Sequence, residues 1–293
     1  MEKYTRMSPE WAQWLDGCLA KGCVDKDIVT AMVAANYDPD YCLKVVAERR
    51  EALSLNPVQG EGGELQVTQS TEPYRYGTPR FPQTGNVIRT SDRLVRVSMR
   101  VGQPVVAVLD NLLTEEECDG LIALARGQLE PSATVDPLTG QNQVKDHRTS
   151  QGTFLKSEGS GLIQRVERRI AEVMNVPVSH GEALHILHYQ VGAEYRPHFD
   201  YFDPANSGFA ATLKRGGQRI STLIVYLNDV EDAGDTIFPK IHLSVVPKKG
   251  AAVYFEYVNE SGQLDELTLH GGAPVVAGEK WVATKWMRLG EFV

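Results

Sequence analysis

Residues 189–200 read YQVGAEYRPHFD, and two of them, His198 and Asp200, stand two positions apart. Side chains alternate between the faces of an extended strand, so this imidazole and this carboxylate leave the same side. Together they offer one nitrogen and one oxygen donor to a divalent metal. A His-x-Asp pair is common by chance and needs a third donor to mean anything. In a β-sandwich that donor comes from a distant strand. The candidate is His270 in LTLHGGAPV (267–275), after the alternating Leu267 and Leu269 and before Gly271-Gly272, which give the backbone room near a site. Two histidines and one carboxylate form the facial triad of non-haem iron(II) oxygenases. The open coordination positions of such a triad suit a bidentate 2-oxo acid plus dioxygen.

Working outward, Lys280 lies between the apolar runs 274–276 and 281–283. An ammonium there is costly to bury unless paired, so it either snorkels to the surface or meets an anion. The sharper expectation is that it pairs with the distal carboxylate of 2-oxoglutarate. Tyr189, Thr222 and Tyr226 are candidates to add hydroxyl hydrogen bonds to that carboxylate, and each is equally a core residue. Segments 104–109, 183–189, 220–227, 251–255 and 281–287 are short, rich in β-branched and aromatic residues, and separated by Gly, Pro, Asn and Asp, which predicts strands. Two helices precede most of them. Thr114 with Glu117 three residues on signals a capped helix through Ala125, and 161–173 is amphipathic. The expected fold class is mostly β with supporting helices, a sandwich or jelly roll.

The chain resembles the prolyl 4-hydroxylase family of iron(II)- and 2-oxoglutarate-dependent dioxygenases. The segments that carry the resemblance are LDNLLTEEECDGLIALA (109–125), RTS (148–150), YQVGAEYRPHFDYF (189–202), RISTLIVYLNDVEDAGDTIFP (219–239), PKKGAAVYF (247–255) and LHGGAPVVAGEKWVATKWM (269–287). The resemblance implies a double-stranded β-helix in which His198, Asp200 and His270 bind iron and Lys280 binds 2-oxoglutarate. It implies Arg219, Arg148, Ser150 and Trp286 on the substrate side, and a proline-containing peptide or protein as substrate. Fe(2+), 2-oxoglutarate and O2 are the implied cofactors, with L-ascorbate as an additional reductant. One departure is Ala233-Gly234-Asp235-Thr236, where members often carry Gly-Gly-Glu-Thr; it is expected to lie away from the ligands. Two other readings stay open: the same chemistry on another residue or a small molecule, and a degenerate barrel serving as a non-catalytic scaffold.

The rest of the sequence sets the frame. Of 293 residues, 42% are hydrophobic and 23% charged, ordinary for a globular chain. A net charge of −8 argues against a general nucleic-acid or anionic-membrane partner. The charged N-terminus has no apolar h-region, and the expected location is cytoplasmic. Cys18, Cys23, Cys42 and Cys118 form no CxxC pair, so they are read as small buried hydrophobes rather than zinc ligands or a disulfide framework. Residues 1–55 predict three short helices, beginning at Ser8-Pro9-Glu10, a small bundle that could bind a partner. Residues 56–85, spread with Gly and Pro, read as a linker before the dioxygenase domain at 86–293. His147, His180, His185, His188 and His242 complete no second metal spacing and are read as structural or solvated.

Overall fold

The computed structural model describes residues 3–5, 7, 9–20, 25–54, 73–135, 141–144 and 147–292. Ser8, Cys23 and positions 56–72 of the expected linker lie outside them. The chain divides into two compact units, Met1–Leu65 and Gln66–Val293.

The smaller unit holds helices Pro9–Ala20, Asp25–Ala34 and Pro39–Ser54. The third begins where Asp38 Oδ1 accepts the N–H groups of Asp40 and Tyr41, with Pro39 at the first helical position. Leu15, Leu19, Ile28, Met32, Tyr37, Cys42 and Val46 form its core. Cys42 is thus a buried core residue, and Cys42 and Cys118 are free thiols.

The larger unit is a jelly roll of two main sheets. Its nine-stranded sheet runs in the order Val87–Arg89, Leu94–Val101, Val106–Asp110, Ala252–Glu256, Arg219–Tyr226, Lys280–Arg288, Leu184–Tyr189, Gln151–Leu155 and Glu130–Pro131. A four-stranded sheet runs Leu243–Val245, Thr236–Phe238, His270–Gly272 and Tyr195–His198. The inner face of the large sheet follows from period-two alternation: Leu187, Tyr189, Ile224, Lys280, Val282, Thr284 and Trp286 turn toward the small sheet's Thr236, His198 and His270. Register brings Lys280 opposite Tyr189 and Trp286 opposite Thr222.

Helices back the outer face. Helix Glu115–Ala125 starts with the expected capping box, Thr114 and Glu117 satisfying each other's backbone N–H groups, a device that contributes about 1 kcal/mol. Helix Gly161–Met174 buries Ile163, Val166, Ile170 and Val173 at helical spacing. Its Glu167 meets the buried ammonium of Lys285, which points away from the site. Arg169 binds Asp92 and Glu117 together, which locks both helices to the sheet.

Residues 73–85 differ from the linker expectation. Phe81 is fully buried and stacks on Tyr254 with ring centroids 5.0 Å apart, and Arg80 donates to Val258 O at 3.0 Å. Composition resembled a linker because the contacts are made by a few isolated side chains in an otherwise polar stretch. Among the described residues no helix is long and apolar enough to cross a membrane.

Candidate metal centre and adjoining cleft

Strand Tyr195–His198 carries His198, with Asp200 two residues on, just past its end. The neighbouring strand His270–Gly272 pairs His270 directly with His198. That close pairing explains Gly271, where a Cβ would fall 2.8 Å from Tyr195 O. Ligand atoms of His198, Asp200 and His270 all lie within 4.8 Å of one another, as a metal site requires. His198 Nε2 is 3.6 Å from Asp200 Oδ1, and His270 Nε2 is 3.5 Å from Oδ2.

The other ring nitrogens settle the tautomers. His198 Nδ1 lies 2.9 Å from Arg196 O, and His270 Nδ1 lies 3.0 Å from Thr268 O. A carbonyl only accepts, so each Nδ1 carries the hydrogen and each Nε2 presents its lone pair to the shared space. Burial pushes the His270 imidazolium down to about 4, against the opposing pull of Asp200, so the ring is neutral as ligation needs. Burial opposes ionisation of Asp200, but His270, His198 and Arg219 hold its carboxyl well below the usual range. Two imidazoles and one carboxylate on one side fit iron(II).

Next to the triad is a narrow space lined by Tyr189, Ile224, Thr236, Lys280, Val282 and Thr284. Lys280 is 3% exposed, so it does not snorkel. Its Nζ donates to Gly234 O at 2.5 Å, and burial pulls its pKa down to about 8, with Asp235 opposing. Tyr189 and Tyr226 rings flank the ammonium at 5.4 and 5.9 Å.

The two other hydroxyl candidates sit differently from expectation. Thr222 is at the opposite end of its strand from Lys280 and donates to Asp200 Oδ2 at 2.7 Å. Tyr226 spends its hydroxyl on Thr236 Oγ1 at 2.8 Å. Thr236, a residue sequence reasoning missed although it lies inside the matched GDTIFP stretch, lines the same space as Lys280. Residues 233–236 also do not lie away from the ligands. Gly234 supplies the carbonyl that holds Lys280, and Ala233 adopts φ +60°, a left-handed conformation that a glycine would take without strain.

Beyond the triad, a cleft of about 800 Å³ opens, sharing Arg148, Tyr195, Asp200 and Trp286 with the inner space. Arg219 forks onto Glu182 at 2.6 and 2.8 Å, and its guanidinium lies 4.0 Å over the Trp286 ring. Arg288 donates to the same carboxylate. Burial disfavours the charged Glu182, yet the two arginines hold its carboxyl low. Arg148 reaches Ser150 Oγ and Ala133 O, both at 3.3 Å, while its buried Nη2 meets no partner among the described residues. Ser150 therefore orients Arg148 and does not line the cleft. The Trp286 indole N–H is likewise unpartnered. Arg148 and Trp286 thus offer two donors where the cleft meets the metal site.

Of the histidines read as structural or solvated, His188 pairs with Glu279 at 2.7 Å, but His185 lines the cleft. It stacks on Phe154 at 4.0 Å, and burial together with Arg148 and Arg219 pushes its pKa well down. Glu182 was missed because it takes part only through Arg219 and Arg288, which are distant in sequence; Tyr195, stacked on His198, carries no sequence pattern that marks it.

Comparison with known proteins places this site in context. The family model described as 2OG-Fe(II) oxygenase superfamily matches residues 184–288, a span that holds His198, Asp200, Thr222, His270 and Lys280. "Probable prolyl 4-hydroxylase 3" of Arabidopsis thaliana is 40% identical over 210 residues, which cover 65% of this chain and 71% of the relative. "Prolyl 4-hydroxylase 5" of the same plant is 42% identical over 210 residues, covering 65% and 70%. Among solved structures, the viral collagen prolyl hydroxylase of Paramecium Bursaria Chlorella virus-1, in its 2OG complex, aligns with a TM-score of 0.49 at 28% identity. The alignment covers 62% of this chain and 95% of that one.

Proposed function

Because this chain belongs to the prolyl 4-hydroxylase family of iron(II)- and 2-oxoglutarate-dependent dioxygenases, we propose that it hydroxylates a peptidyl proline, releasing succinate and CO2. The observation that carries the reading is the convergence of two Nε2 lone pairs and the Asp200 carboxylate beside a buried lysine whose ammonium donates to a backbone carbonyl.

In this reading His198, Asp200 and His270 hold the iron. Bound there with 2-oxoglutarate and dioxygen, iron supplies the oxidising power that inserts oxygen into a C–H bond. The protein's own part is placement. Lys280 offers a charge-assisted hydrogen bond to the distal carboxylate of 2-oxoglutarate, with Tyr189 and Thr236 beside it. Thr222 fixes the Asp200 carboxylate, and the carbonyls of Arg196 and Thr268 fix both imidazoles. Arg148 and Trp286 present donors that are unpartnered among the described residues to peptide carbonyls, and Arg219, held by Glu182, keeps the Trp286 ring in place. L-ascorbate as a restoring reductant, and a partner for the N-terminal bundle, belong to the same proposal.

The test is succinate release from 2-oxoglutarate with iron(II), with and without a proline-rich peptide, alongside His198→Ala. Peptide-stimulated succinate lost in the variant, with one oxygen added as 4-hydroxyproline, is the expected result. Succinate with no oxidised proline would move the substrate to another residue or a small molecule. No succinate under any condition would favour the scaffold reading.

A further inference from the structure

The stretch 73–81 lies outside the matched span 184–288, yet it makes polar bonds to the loop that leads into His270. Arg75 N–H donates to Gln263 Oε1 at 3.0 Å, and Asn259 donates to Arg75 O at 2.9 Å. The Tyr76 hydroxyl donates to Asp265 Oδ2 at 2.7 Å. Asp265 is 1% exposed, and its other oxygen accepts the Leu267 N–H at 3.0 Å. Its carbonyl accepts the Thr268 hydroxyl at 2.6 Å. Thr268 O in turn accepts the Nδ1–H of His270. A strap needed only to cover apolar surface would have no use for a hydroxyl bonded to a buried carboxylate, since that carboxylate loses water to make the bond.

We propose that Tyr76 is a positioning residue for the iron centre, acting on His270 through Asp265 and Thr268. The inference rests on the iron reading above. The same loop serves a second donor. Asp265 N–H bonds to Tyr257 O at 2.9 Å, and the Tyr257 hydroxyl lies 3.1 Å from Thr222 Oγ1, the group that donates to Asp200. Two of the three metal donors are therefore oriented from a loop that the strap clamps. Removing the Tyr76 hydroxyl leaves one oxygen of a buried carboxylate without its donor. The turn 265–268 then loosens, and with it the direction of the His270 lone pair. Direct outer partners of metal ligands change affinity about 10–100-fold when removed. Tyr76 acts through two further residues, so about a 3–10-fold loss is expected from it.

The experiment compares Tyr76→Phe with Tyr74→Phe in the full chain. Tyr74 lies on the same strap with its ring 4.7 Å from that of Tyr76; it feels the charge of Asp265 but makes no hydrogen bond to it among the described residues. Fe(II) is titrated anaerobically at saturating 2-oxoglutarate, following the charge-transfer absorption of the chelate, and the metal-free proteins are melted in parallel. The expected result is weaker iron binding in Tyr76→Phe alone, at equal melting temperatures. Equal iron affinity in wild type and Tyr76→Phe, or an equal loss in both variants, would overturn the relay and leave a strap that only covers surface. Wild type that takes up no iron would instead remove the iron reading on which the relay depends.

Discussion

Thr222 Oγ1 donates its hydrogen to Asp200 Oδ2 at 2.7 Å, across 22 residues of sequence. A hydroxyl has one hydrogen, so the Tyr257 hydroxyl 3.1 Å away must be the donor in its contact with Thr222. The order Tyr257, Thr222, Asp200 leaves the free oxygen lone pairs of Asp200 facing the two Nε2 atoms. Thr222→Val keeps the shape and deletes the donor. Iron affinity should fall by about tenfold or more, and Thr222→Ser should restore it. Anaerobic Fe(II) titration reads this directly, and an unchanged affinity in Thr222→Val would make the bond incidental.

His198→Ala, Asp200→Asn and His270→Ala should each abolish 2-oxoglutarate turnover, because each removes a donor from a three-donor set. The fold should survive in His198→Ala, whose side chain is 19% exposed. A chelator should reproduce the loss in wild type, and added iron(II) should reverse it. Turnover that persists through chelation would put the chemistry elsewhere.

Lys280 gives a pH dependence whose sign follows from its burial. Its pKa is lowered to about 8 in the protein without 2-oxoglutarate. Below that value it is an ammonium and pairs with the dicarboxylate; above it the charge is lost. The kcat/KM for 2-oxoglutarate should therefore fall as pH rises through about 8, a profile that reports the free enzyme. Lys280→Met should raise the KM for 2-oxoglutarate about 10–100-fold, as expected from losing one charge-assisted bond of about 1.5–3 kcal/mol. It should also flatten that pH limb. A limb that persists in Lys280→Met would assign the titration to another group.

Ala233 sits at φ +60° in the loop that cradles Lys280. Left-handed backbone costs a non-glycine residue about 1–2 kcal/mol, and glycine gives back about 0.5–1 kcal/mol through its freer unfolded chain. Ala233→Gly should therefore stabilise the protein by roughly 0.5–1 kcal/mol. Denaturant melts at unchanged m-value check it, and a loss of stability would mean that the methyl packs usefully.

Glu182 gathers Arg219 and Arg288, and its carboxyl is held low by them against the cost of burial. This stabilisation is present above the usual carboxylate range and is lost as pH falls through the lowered value. Glu182→Gln leaves two buried guanidinium groups without their shared anion, and stability should drop by about 3–5 kcal/mol. Chemical denaturation at pH 7 measures it. The gap between wild type and variant should close as the solution is acidified.

The local pattern of the sequence was enough for the donors and for the sheet class. A two-residue spacing puts His198 and Asp200 on one face whatever surrounds them, and Thr114 with Glu117 starts a helix by chemistry confined to one turn. The charge of Lys280 inside apolar sequence left snorkelling and burial both open, and the structure buries it. What each hydroxyl faces was decided only in three dimensions. Thr222 and Tyr226 share a strand face, but strand register against Lys280–Arg288 and the approach of Asp200 sent one to the Asp200 carboxylate and the other to Thr236. Glu182 and the Tyr76 strap gain their roles from contacts that close over 37 to 189 residues of chain. Composition carries no record of such pairings, because a tyrosine in a Pro- and Gly-rich stretch looks the same whether it is solvated or bonded to a buried carboxylate. Periodicity records which face a residue occupies; only the packing of distant strands determines what it meets there.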